Sequence, residues 1–85
     1  MHRSDRAPLL DRVLEVVNRH DPEGLLGLGA PADEYESEAR ALTAVLARGD
    51  AITVADVRQV WVHSFGAAPD SLTALARDLA RLPAA

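Results

Sequence analysis

The chain has 85 residues and a formal net charge of −4, enough for one domain that buries only about 60–65% of its unfolded surface. Cysteine is absent, which excludes disulfides, thiolate metal sites and a cysteine nucleophile. No apolar run approaches the roughly 20 residues of a membrane-spanning helix, and the first residues lack the apolar core of a signal peptide. A cytoplasmic protein without membrane contact is therefore expected.

Residues 1–7 are polar and are expected to be disordered, leaving 8–85 as a single helical domain. Pro8 suits a first helical turn, where its missing N–H costs nothing, and Leu9, Leu10, Val13, Leu14, Val16 and Val17 follow at helical spacing. The pattern predicts a helix over Pro8 to Arg19, with His20 at its end in a capping or surface role. Asp21 followed by Pro22 reads as an N-cap and first helical residue, so a short helix is expected to start there and to stop at Gly27 or Gly29. Leu25, Leu26 and Leu28 are too apolar for a free connection and are expected to point inward.

A second long helix is predicted from Ser37 to Arg48, with Ala39, Leu42, Val45 and Leu46 inside and Glu36 paired to Arg40 outside. Asp33 or Glu36 stands where it could cap this helix, and Gly49 is expected to close it in the left-handed conformation. Thr53 and Asp56 resemble a capping box that opens a third helix over Val54 to Phe65, whose buried stripe should be Val54, Val57, Trp61 and Phe65. Asp70 is a candidate cap for a fourth helix, Ser71 to Leu82, with Leu72, Leu75, Ala76, Leu79 and Leu82 inward and Pro83 as its stop. The fold class is thus all-α: a small antiparallel four-helix domain with an ordered acidic loop between the first two long helices.

That loop concentrates the unusual chemistry. Residues 21–38 carry six acids, Asp21, Glu23, Asp33, Glu34, Glu36 and Glu38, and no arginine, whereas the rest of the chain holds seven acids against nine arginines. Such a segment repels phosphates, and no basic stripe with interleaved aromatics occurs elsewhere, so nucleic acid is not an expected partner. The acids do not follow the alternating pattern of an EF-hand, and the three histidines are scattered, so no metal site or cofactor is expected. No nucleophile motif or phosphate loop is present, and an enzyme is not expected.

Two roles remain for the loop. Its acids can satisfy the backbone of helix starts, with Gly29 supplying conformational freedom, Pro31 stiffness, and the Tyr35 hydroxyl tying the loop to the core. Alternatively the same acids face a partner. Trp61 carries a parallel choice: a core residue whose indole N–H bonds a loop carbonyl or acid, or an exposed interface anchor.

The segments D-P-E-G-L-L at 21–26, G-A-P at 29–31, D-E-Y at 33–35 and Glu38 resemble the YugE-like family of small bacterial proteins of unknown function. Members of that family typically read W-D-P-x-G-L-L and then G-A-P-x-D-E-Y-D-x-E between helices. The resemblance implies that Asp21, Pro22, Gly24, Gly29, Pro31, Asp33, Glu34, Tyr35 and Glu38 are signature positions in a small all-helical fold. It brings no activity with it, and hints at a setting like that of toxin-immunity systems. His20 stands where the family often has an aromatic residue, and Glu36 replaces the usual aspartate, so the chain departs from the family's pattern at these two places.

The expectation from the whole sequence is a non-enzymatic interaction module of immunity or antitoxin-like or regulatory kind. Asp21, Glu23, Asp33, Glu34, Tyr35, Glu36 and Glu38 would meet a basic protein surface, while Pro22, Gly24, Gly29, Pro31 and Trp61 shape the scaffold. The alternatives are a structural or homodimeric helical protein and a metal- or ligand-binding enzyme accessory.

Overall fold

Pro8 opens the first helix in a computed structural model that describes residues 8–82. This helix, α1 (Pro8–His20), buries all six of its leucines and valines along one face. A 3₁₀ turn at Leu26–Leu28 lies within the connection to α2 (Glu36–Ala47). Then come α3 (Val54–Phe65) and α4 (Leu72–Ala80), with no strand among the described residues. The expected disorder of residues 1–7 and the stop at Pro83 lie outside the described residues.

Each helix packs on the next, and α4 returns to α1, so the four form a closed cycle. The body measures 35 × 32 × 19 Å, its thinnest dimension about two helix diameters. Two aromatic side chains fill the middle: Trp61 and Tyr35 are the largest fully buried residues, and Leu42, Leu72, Leu75 and Leu79 pack around them. No described helix is long and apolar enough to cross a membrane.

Local signals place the helix ends. Thr53 Oγ1 accepts the Asp56 N–H at 3.2 Å while Asp56 Oδ2 accepts the Thr53 N–H at 3.0 Å, the reciprocal capping box expected at the start of α3. Gly49, with φ 85°, takes the left-handed position after α2 and donates to the Leu46 carbonyl.

Several expectations are corrected. Neither Asp33 nor Glu36 caps α2: Tyr35 occupies the cap position, no side chain bonds there, and the Glu36 N–H is taken by the Asp33 carbonyl instead. At α4 the cap position falls on Ser71 rather than Asp70, again without a side-chain bond, and the helix is shorter than its apolar pattern. Within α3 only Val57 and Trp61 are buried; Val54 and Phe65 sit at the two helix ends, where nothing covers their outer sides. Val45 and Leu46 are only partly covered. Leu25 and Leu26 do pack against the core, but Leu28, 84% exposed, points away from it.

Candidate functional site

The site begins where α1 ends. The Asp21 N–H still donates to the Val17 carbonyl at 2.8 Å, as a helical residue would, but φ turns to 45° and the chain leaves the helix. Asp21 is therefore the left-handed residue closing α1 and not the cap of a helix starting at Pro22. Aspartate tolerates this region better than most residues, because its short polar side chain can bond locally. Here it does so three times. Oδ1 accepts the Leu26 N–H at 3.1 Å and the Tyr35 hydroxyl at 2.7 Å, and Oδ2 accepts the Gly27 N–H at 3.0 Å.

Tyr35 carries the network onward. Its oxygen, which donates to Asp21, accepts the Glu23 N–H at 3.0 Å, and the Glu23 carboxylate in turn accepts the Trp61 indole N–H at 2.9 Å. The Tyr35 and Trp61 rings lie 6.0 Å apart with 29° between their planes, and Phe65 continues the aromatic row 5.5 Å beyond Trp61. Five side chains from the loop and α3, those of Asp21, Glu23, Tyr35, Trp61 and Phe65, thus form one connected polar and aromatic unit, which ties residues 21–35 to the bundle.

Electrostatics follow from that geometry. The bond from Tyr35 holds the Asp21 carboxyl below its ordinary value; burial opposes it as the next-largest effect, and the backbone donors of Leu26 and Gly27 add to the lowering. Burial first, and then the hydrogen bond to the Asp21 carboxylate, push the Tyr35 phenol up to about 12. Near neutral pH the pair is a carboxylate accepting from a neutral phenol.

Two further ties hold the loop and its helix. Asn18 Nδ2 donates to the Ala32 carbonyl at 2.8 Å, drawing the Gly-Ala-Pro segment onto α1. His20 Nε2 meets Asp78 Oδ2 at 2.7 Å, joining the end of α1 to α4, and this contact keeps the Asp78 carboxyl below its ordinary value. The Asn18 amide oxygen is enclosed and accepts no hydrogen bond. Neither the Asn18 nor the Asp78 role is readable from spacing, because the partners lie 14 and 58 residues away.

The acids expected to face a partner therefore divide. Asp21 and Glu23 spend their carboxylates on the loop and on Trp61, while Tyr35 is fully buried and Glu38 is 7% exposed. As surfaces for a partner, Tyr35 and Glu38 are corrected: the cap position and the first turn of α2 place them, respectively, against the core. Glu36 pairs with Arg40 at 2.6 Å. Asp33 and Glu34 are exposed, and although their backbones are hydrogen-bonded to Glu36 and Pro31, no hydrogen bond or ion pair within the described residues engages either carboxylate. Of the scaffold residues, Pro22 is half-buried, Gly24 and Gly29 adopt positive φ, Pro31 is exposed, and Trp61 is enclosed as the core reading requires.

Beside Asp33 lies an open groove of about 720 Å³ between α1 and residues 31–33. Leu14, Pro31 and Ala32 supply apolar surface there, and Asp11, Arg12, Glu15, Asn18 and Asp33 supply polar groups. Among the described residues no group of three or more His, Asp or Glu side chains is arranged to hold a metal ion. The chain matches no family model, no curated protein and no solved structure.

Proposed function

We propose that the chain is a non-enzymatic, cytoplasmic interaction module whose braced acidic loop engages a basic surface on a partner protein, an immunity or antitoxin-like role being its most concrete form. A place in the YugE-like family belongs to the same proposal and rests on the motif between Asp21 and Glu38. One observation carries it. The loop consumes Asp21 and Glu23 internally, yet leaves the carboxylates of Asp33 and Glu34 exposed and without a partner among the described residues, on a backbone tied by the Tyr35 and Asn18 bonds. A surface already held in place loses little conformational entropy when it binds.

The chemistry of the network argues in the same direction. A general acid or base works best with a pKa near the working pH, whereas Asp21 is shifted downward and Tyr35 upward, both away from neutrality. The contact set is accordingly narrowed to Asp33 and Glu34, with Glu36 beside them. Attraction between exposed charges weakens with salt and acts on the association rate. Affinity capture with the wild-type chain and with Asp33→Asn/Glu34→Gln tests the reading. The variant should lose a partner that the wild type recovers at low salt, and undiminished recovery of every partner would overturn it.

A further inference from the structure

We infer that the peptide bond between Asp21 and Pro22 is a latent self-cleavage site, which the hydrogen bonds of the folded loop keep closed. Nothing in this depends on the acidic-loop reading. Of the five prolines only Pro22 follows an aspartate. An aspartyl carboxyl can reach its own carbonyl carbon through a five-membered ring, and such proximity makes a weak nucleophile effective. Proline supplies the departing nitrogen as a tertiary amide, more basic than an ordinary peptide nitrogen. The protonated Asp21 carboxyl attacks that carbon: an O–C bond forms, the C–N bond to Pro22 breaks, and the carboxyl proton leaves with the proline nitrogen. Water then opens the cyclic anhydride, so the net reaction is hydrolysis and Asp21 becomes a new carboxyl terminus.

The structure prepares one reactant and restrains the other. The Asp21 carbonyl oxygen, on which negative charge develops during attack, accepts the Gly24 N–H at 2.9 Å. Asp21 is also held at φ 45°, a conformation few residues with side chains take, and a cut at its carbonyl lets it relax. The carboxyl itself is occupied. Oδ1 accepts from the Leu26 N–H and the Tyr35 hydroxyl, and Oδ2 accepts from the Gly27 N–H. These bonds aim the oxygens at the loop and favour the charged carboxylate over the protonated form that reacts. Loss of the Tyr35 bond therefore frees a nucleophile beside a carbonyl that is already polarised. A cut separates α1, with its six buried side chains, from the rest of the chain. It also leaves charged ends at Asp21 and Pro22, both half-buried, which opposes reclosure of the loop.

The test is intact-mass spectrometry of the full chain incubated at mildly acidic pH, with and without concentrated urea. In urea the wild type should yield fragments 1–21 and 22–85, whose masses sum to that of the chain plus one water, and Asp21→Ala should yield neither. The folded wild type should cleave about tenfold more slowly, the factor that a hydrogen bond to a charged group supplies. Tyr35→Phe, confirmed as folded by circular dichroism, should cleave at least about threefold faster than folded wild type. Thr53→Ala lowers stability away from the loop and should cleave at the wild-type rate. Absence of the two fragments in urea, equal rates for folded and unfolded wild type, or no gain in Tyr35→Phe would each overturn the inference. So would a gain in Thr53→Ala equal to that in Tyr35→Phe, because global unfolding would then be the route, or equal cleavage at other aspartates such as Asp50 and Asp70.

Discussion

Tyr35 is the residue through which the loop and the core exchange hydrogen bonds. Its oxygen donates to Asp21 and accepts from Glu23, so Tyr35→Phe keeps the ring on Trp61 but strips a partner from a carboxylate and from a backbone N–H. A loss of about 1–3 kcal/mol is expected, read as a lower urea midpoint with near-normal cooperativity. The chain has a single tyrosine, so its ionisation can be followed directly by tyrosinate absorbance. The folded value of about 12 lies above the ordinary 10, so the contribution to stability is complete below pH 10 and is lost as pH rises from 10 through 12. Tyrosinate should therefore appear late and together with unfolding, and a midpoint near 10 in a protein still folded would contradict the buried pair. Part of this was legible in the sequence: an aromatic phenol inside a Gly-Pro-acid segment had few other uses than tying that segment down. What escaped reading was Asp21. An aspartate before proline looks the same whether it opens the next helix or closes the last one, and only the three donors that converge on its carboxylate decide the matter.

Helix ends separate what local sequence determines from what packing determines. The start of α3 is local. Thr53 and Asp56 satisfy each other's backbone donors within four residues, so the helix boundary could be read directly from spacing. Thr53→Ala should cost about 0.5–2 kcal/mol in a urea titration, and Thr53→Ser should recover most of it, because serine also accepts at this position. Equal losses for the two variants would mean that the threonine methyl, not the cap, stabilises the turn. The starts of α2 and α4 lack side-chain caps, and there the sequence misleads, since Asp33, Glu36 and Asp70 resemble caps but do not serve as such. Burial along a helix follows the same division. Periodicity identified α1 completely, because both of its flanks are covered by α2 and α4. On α3 the same spacing overreached at Val54 and Phe65, since periodicity states which face turns inward but not how far along the axis a neighbour extends.

At the scale of the molecule, closure of the helix cycle depends on α4 returning to α1, and the contact that clamps it, His20 with Asp78, joins residues 58 positions apart. No local rule could have supplied that pairing, although His20 at a helix end was visible in sequence. The clamp and the loop network share a sensitivity to acid. Asp78 is held below its ordinary 3.8 chiefly by the hydrogen bond from His20, with the positive charges of Arg81 and Arg19 assisting, and Asp21 is held below the same value chiefly by Tyr35. A carboxyl lowered in the folded state binds fewer protons there than in the unfolded chain. Its contribution is thus present above pH 3.8 and is lost as pH falls below it through the folded value. Thermal unfolding followed by the fluorescence of the single tryptophan should show a midpoint that is steady across mildly acidic pH and declines below about pH 4. Asp78→Asn removes one of the two lowered carboxyls, so its curve should start lower and decline less steeply with acid. Because Asp21 also orders the loop, Asp21→Asn should flatten the acid limb as well, while the double variant should flatten it more than either single variant. Equal steepness in wild type and double variant would assign the acid sensitivity to other carboxylates and leave the helix closure dependent on apolar packing alone.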